Sequence, residues 1–122
     1  MQISKAESQV MQFLWERNPA TAGEVFAALG AANDWSEATV KTLLNRLKKK
    51  GAVATEPDGK RFLYRPAIER DAWVLAESSH LVDRLFDGRL APLVSHFSNH
   101  GKLSQSDLDE LRELIERLDD ER

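Results

Sequence analysis

The stretch from Trp35 to Gly51, WSEATVKTLLNRLKKKG, decides how the rest of the chain is read. Ser36 is a natural N-cap, because its hydroxyl can accept from a backbone N–H one turn on. Gly51 is a natural stop, because it tolerates the left-handed conformation that ends a helix. Trp35 and Val40 then fall at the two hydrophobic-staple positions. Between those ends Val40, Leu43, Leu44 and Leu47 recur at i, i+3, i+4 and i+7, one apolar stripe at helical period. The opposite face collects Ala38, Thr42, Asn45 and Lys49, with Lys41 and Arg46 on its flanks. Short polar side chains beside long cations suit a major groove, where base edges carry sequence and phosphates take charge. Taken alone, the same face also suits an ordinary solvated helix, so its neighbours must decide.

Those neighbours are regular. Ser4 and Glu7 form an S-x-x-E capping box ahead of Val10, Phe13, Leu14 and Trp15, and Asn18-Pro19 ends that segment. Thr21 and Glu24 form a second box ahead of Val25, Phe26 and Leu29, with Gly30 expected as its stop and Asn33-Asp34 as the link onward. Two short helices leading into a third is helix-turn-helix spacing. After Gly51 the period changes to two. Ala52–Glu56 and Arg61–Arg65 are predicted to pair around a Pro57-Asp58-Gly59 turn, with Phe62 and Tyr64 on one face. Three helices and a hairpin make a winged helix, in which Lys60 and Arg61 lie beside the phosphate backbone; a hairpin that only covers the core is the alternative.

Beyond Pro66 the pattern is helical again. Ile68–Phe86 carries Leu75, Val82, Leu85 and Phe86 and stops at Gly88. Leu90–Phe97 carries Leu93, Val94 and Phe97. Ser104 and Asp107 open a third segment, in which Leu108, Leu111, Ile115 and Leu118 step like a and d positions and Leu114 widens the stripe. Three helices in so short a region cannot bury this much apolar surface unaided. The expected fold is therefore mainly α with a small β-hairpin, residues 1–66 a winged helix-turn-helix and residues 67–122 a three-helix dimerisation region. The dimer-forming residues are expected to be Leu85, Phe86, Leu93, Phe97, Leu108, Leu111, Ile115 and Leu118. Helices folded back on the winged helix in a monomer are the competing arrangement.

Charge follows the same partition. The net charge is −3, but residues 1–66 hold ten Lys and Arg against seven Asp and Glu, and residues 67–122 hold seven against thirteen. Residues 41–66 alone carry eight cations and two carboxylates. Phosphates respond to that local patch, since screening confines a field to roughly 8 Å at physiological salt. At 122 residues the chain has the length of one domain, or of two very small ones. No apolar run reaches the ~20 residues of a membrane span and no signal segment is visible, so a cytoplasmic protein without membrane insertion is expected. Absence of cysteine removes disulfides and thiolate sites. His96 and His100, at i and i+4, could share a helix face and with His80 mimic a three-His metal site, but no metal motif accompanies them and they read as surface or interface residues, so no metal and no cofactor are expected. The acidic residues from Asp107 to Glu121 alternate with leucine at helical period, which marks a solvated face. No nucleophile elbow, phosphate loop or dinucleotide fingerprint occurs, and an enzyme is not expected.

Over nearly its whole length the sequence resembles the BlaI/MecI family of penicillinase repressors, bacterial winged-helix transcription factors. The resemblance rests on Ile3, Ser4, Ala6 and Glu7 and on the W-S-x-x-T-V-K-T-L-L-x-R-L-x-K-K-G run from Trp35 to Gly51. The aromatic wing ending at Tyr64, the trio Leu93, Val94 and Phe97, and L-S-x-x-D-L-D-E-L from Leu103 add to it. It implies a homodimeric repressor of β-lactamase or related genes that binds palindromic double-stranded operators. Ser36, Thr39, Lys41, Thr42 and Arg46 match the family's DNA-contacting positions. All but Thr39, which lies between groove face and core, fall on or beside the face derived above. The resemblance also implies release by proteolysis at an Asn-Phe bond, set off by a membrane-bound metalloprotease sensor; His96-Phe97 stands there in this chain. The Cys-x-Cys pair of related copper-responsive repressors has no counterpart. A winged helix that binds protein, and a regulator that senses a small molecule, are the alternatives in other classes.

Overall fold

The computed structural model describes residues 2–121 and contains six helices and one two-stranded hairpin among them. The mainly α winged-helix fold is as expected. Helix α1 spans Lys5–Glu16 and α2 spans Ala22–Asn33. Helix α3 spans Glu37–Lys49, strands β1 and β2 span Val53–Asp58 and Arg61–Pro66, and α4 spans Arg70–Phe86. Helices α5, Leu90–Asn99, and α6, Gln105–Asp120, complete the chain.

Both N-terminal capping boxes form. The Ser4 and Thr21 hydroxyls accept from the N–H of Glu7 and Glu24, whose carboxylates accept in return. Gly30 does not end α2. It is buried inside the helix, where a Cβ would lie 2.7 Å from the Phe26 ring, so its role is close packing. The helix ends at Asp34, a residue that tolerates the left-handed region and sits there at φ 57°. The turn to α3 is thereby reduced to Asp34, Trp35 and Ser36, the short link of a helix-turn-helix.

The hairpin also differs in detail from its sequence reading. Pro57 and Asp58 belong to β1, opposite Phe62 and Arg61, and the turn is Gly59-Lys60. Gly59 alone has positive φ, 66°, as a two-residue turn of type II′ needs at its first central position. Ala20 exchanges both backbone hydrogen bonds with Tyr64, at 3.0 and 2.7 Å, which fastens the base of the wing to the chain before α2. Tyr64 is buried there, whereas Phe62, two residues nearer the tip, has passed beyond the helices and is 52% exposed.

The core follows the predicted stripe. Val40, Leu43, Leu44 and Leu47 of α3 pack with Val10, Met11 and Leu14 of α1, Val25 of α2, and Ala52, Val53 and Tyr64 at the base of the wing. Each of these Val, Leu and Met side chains contributes roughly 1.5–3 kcal/mol when fully enclosed. Glu7 is enclosed with them, 2% exposed, and its carboxylate takes the Lys50 ammonium at 2.7 and 2.8 Å.

The chain divides into two compact units, residues 1–74 and 75–122. The boundary lies within α4, later than the expected break after Pro66, for a visible reason. Ile68 packs on the winged-helix core, its carbonyl accepts from the Trp15 indole at 3.0 Å, and the Trp15 and Trp73 rings lie 5.3 Å apart. In the second unit Val82 is the one buried residue among those described. Among the described residues no helix is long and apolar enough to cross a membrane.

Candidate nucleic-acid interface

Helix α3 is held from both ends and from behind. The Ser36 hydroxyl accepts from the Thr39 N–H at 3.1 Å and lies 3.0 Å from the Thr39 hydroxyl. Gly51, at φ 82°, follows the last turn. With the leucine stripe enclosed, Ser36, Ala38, Thr39, Lys41, Thr42, Asn45, Arg46 and Lys49 are all exposed. The Thr42 hydroxyl donates to the Ala38 carbonyl at 3.0 Å, which fixes its rotamer and leaves its methyl group and oxygen lone pairs outward. Two adjacent N-terminal hydroxyls are therefore engaged with each other and with the helix end, and the longer side chains beyond them are free to reach.

Local pairing sorts the cations in a way that composition could not. Lys50 is tied to Glu7, Arg65 to Glu56 at 2.7 Å, and Arg61 to Asp58 at 3.2 Å. Among the described residues Lys41, Arg46, Lys48, Lys49 and Lys60 take part in no salt bridge. The two wing pairs are exposed and worth little, of order 0–1 kcal/mol each, so a phosphate can displace them. Lys50 is different, because its partner is buried. Burial by itself pushes the Glu7 carboxyl up, but the Lys50 hydrogen bond, the Ser4 backbone and hydroxyl and the ammonium charge together hold it below its ordinary range. This cation belongs to the fold.

Between α3, the wing and the N-terminus of α2 runs a concavity of about 620 Å³. Lys41 and Asn45 line it from α3, Lys60, Arg61 and Phe62 from the wing, and Thr21, Ala22 and Gly23 from α2. Glu37 is the one carboxylate on its wall. The sequence reading placed Lys41, Asn45, Lys60 and Arg61 at the interface, and the fold brings these four to one hollow. It missed the start of α2 and Phe62. The Thr21-Glu24 capping box was the available signal, because it marks a helix N-terminus, where backbone N–H groups and the helix dipole favour an anion. At that box the backbone N–H of Thr21, then its hydroxyl, holds the Glu24 carboxyl below its ordinary range, with Arg61 and Arg17 adding positive charge.

The sequence profile described as penicillinase repressor matches residues 3–117. The chain belongs to the penicillinase repressor family. Within that family it is 33% identical over 115 residues to the penicillinase repressor of Bacillus licheniformis, covering 94% of this chain and 90% of the relative. It is 31% identical over 116 residues to the methicillin resistance regulatory protein MecI of Mammaliicoccus sciuri, covering 95% and 94%. The solution structure of the DNA-binding domain of the repressor BlaI matches 57% of this chain and 84% of that one, with 39% identity and a TM-score of 0.53. Monomeric Bacillus licheniformis BlaI in complex with the blaP half-operator matches 58% and 87%, with 38% identity and a TM-score of 0.52. The first of these is a DNA-binding domain, and the second is bound to its half-operator.

The predicted dimer-forming residues of this penicillinase repressor relative lie on α4, α5 and α6. Leu85, Phe97, Ile115 and Leu118 are exposed, and Phe86, Leu93, Leu108 and Leu111 are half-buried. His96 and Phe97 are both exposed in α5.

Proposed function

We propose that this DNA-binding repressor engages a palindromic operator as a homodimer, laying α3 in the major groove of each half-site and the wing along the adjacent backbone. One observation carries the reading: Lys41 and Asn45 on the exposed face of α3 share one hollow with the wing cations Lys60 and Arg61. Ala38, Thr42 and Asn45 are short enough to meet base edges, with Thr39 beside them. Lys41, Arg46, Lys49, Lys60 and Arg61 reach phosphates, whose contacts set position and register. The backbone N–H groups at the start of α2, which borders the same hollow, are suited to receive a phosphate oxygen.

A second copy of the chain is the partner that the helical unit calls for. Leu85, Phe86, Leu93, Phe97, Leu108, Leu111, Ile115 and Leu118 supply the apolar surface, and a two-fold pair of winged helices matches two half-sites about one helical turn apart. The regulated genes in this reading encode a β-lactamase or a related response. Release is by cleavage at the exposed His96-Phe97 bond after a membrane-bound metalloprotease sensor is triggered. The chain then acts in the cytoplasm, by occupying DNA and without catalysis of its own.

Lys41→Ala and Thr42→Ala test the groove assignment, with operator affinity measured by fluorescence anisotropy over a range of salt concentrations. Lys41→Ala should weaken binding and lower the slope of log affinity against log salt by about 1. Thr42→Ala should weaken binding to the operator more than to unrelated DNA. Two variants that bind like the parent on both DNAs place the interface elsewhere.

A further inference from the structure

His96 and His100 stand four residues apart at the end of α5, with ring centroids 4.5 Å from each other. Both are exposed. The His100 Nδ1 lies 2.9 Å from the His96 carbonyl oxygen. A carbonyl only accepts, so this nitrogen carries the proton, and the lone pair of a neutral His100 ring is on Nε2. That is how metal-binding histidines are commonly prepared: one ring nitrogen donates to a carbonyl, and the other is left basic and oriented. The His96 ring is bracketed by Phe86 and Phe97, at centroid distances of 6.1 and 6.3 Å, which restricts where it can swing.

We propose that His96 and His100 form a two-imidazole clamp for a divalent transition-metal cation of borderline softness, such as Ni²⁺ or Zn²⁺, whose other positions are filled by water. The choice of ion follows from the donors. Imidazole suits these metals, whereas Mg²⁺ and Ca²⁺ need oxygen ligands. Among the described residues no group of three or more His, Cys, Asp and Glu gathers to hold a metal, so the clamp keeps open positions and differs from a closed structural zinc site. Lys102 lines the same hollow of about 370 Å³ and opposes any cation electrostatically. Binding therefore rests on nitrogen donation, which reinforces the preference for a transition metal. The bound ion links residues 96 and 100 across the last turn of α5 and resists its unwinding.

Calorimetric titration of the full chain, without a histidine tag, with NiCl₂ and separately with ZnCl₂ tests this. Saturable binding of one ion per chain is expected, undiminished by millimolar Mg²⁺. Affinity should fall at least about tenfold in His96→Gln and in His100→Gln and stay unchanged in His80→Gln. Amide spectra of the variants show whether each remains folded, and Ni²⁺ should broaden the ring signals of His96 and His100 before others. Absence of saturable binding, competition by Mg²⁺, or an equal loss in His80→Gln overturns the proposal, as does full affinity in either clamp variant.

Discussion

In the winged unit Val10, Met11, Leu14, Leu44 and Leu47 are completely enclosed, whereas in the helical unit Leu85 is 60% and Ile115 56% exposed and, among the described residues, Val82 alone is buried. The two regions draw on the same residue types and end in opposite states. Two helices and a hairpin surround α3 and close its apolar stripe within one chain. Helices α4 to α6 each present a stripe of their own, and α6 is capped as regularly as α1 and α2, by the Ser104-Asp107 box, although Arg89 gives α5 no side-chain cap. Good local signals thus make helices, but only a surrounding set of partners makes a core. The first unit carries its stability inside itself, and in the proposed dimer the second is covered by the partner's surface.

The largest expected effect comes from denying the helical unit that surface. Ile115→Asp places a charge in the proposed dimer core. Sedimentation equilibrium should then show monomers, and loss of two-site engagement should lower operator affinity by about 10²–10⁴-fold. The urea midpoint of the winged unit should not move. A variant that still sediments as a dimer breaks the comparison, because the exposed stripe of α6 would then not be the contact surface. Leu44→Ala probes the other side. Deleting a fully enclosed leucine should cost about 2–5 kcal/mol, read from urea unfolding followed by tryptophan fluorescence. Dimerisation should survive conditions in which the winged unit has melted; simultaneous loss of both would mean that the units are not separable.

The parts of the fold that were legible in the sequence are those set by local chemistry. Ser4, Thr21, Ser36 and Ser104 announced four helix starts, and the α3 stripe announced the core, because capping and periodicity act within a few residues. What escaped depends on contacts distant in the chain. Gly30 looked like a stop until the Phe26 ring was seen against it. The Trp15 bond to Ile68 moved the unit boundary into α4, and no spacing rule connects residues that far apart. At the interface, the exposed face of α3 followed from helical geometry alone. Which cations are free did not: Lys50 reads as one more member of a lysine run, and its pairing with Glu7 spans 43 positions.

That ion pair sharpens the comparison at its finest scale, since it is a charged contact serving the enclosed unit from the C-cap of α3. Glu7→Gln keeps an acceptor for the Ser4 N–H but leaves Lys50 with a neutral partner. Hydrogen bonds to charged groups contribute roughly 1.5–3 kcal/mol, and Lys50 is about one-third exposed, so an effect of about 1–2 kcal/mol at pH 7 is expected. The pH dependence has a definite sign. The folded-state pKa of Glu7 lies below its ordinary value of 4.5, so the contribution is fully present above that value and is lost as pH falls through the folded-state pKa. Urea unfolding of the parent and of Glu7→Gln should therefore differ most at neutral pH and converge under acid conditions below the ordinary carboxylate range. A gap that persists unchanged into strong acid would mean that the amide disturbs packing rather than charge. Should Lys50 released in this variant also turn toward DNA, operator and non-specific affinity would rise together with a salt slope steeper by about 1, because a freed lysine adds a phosphate contact without reading a base.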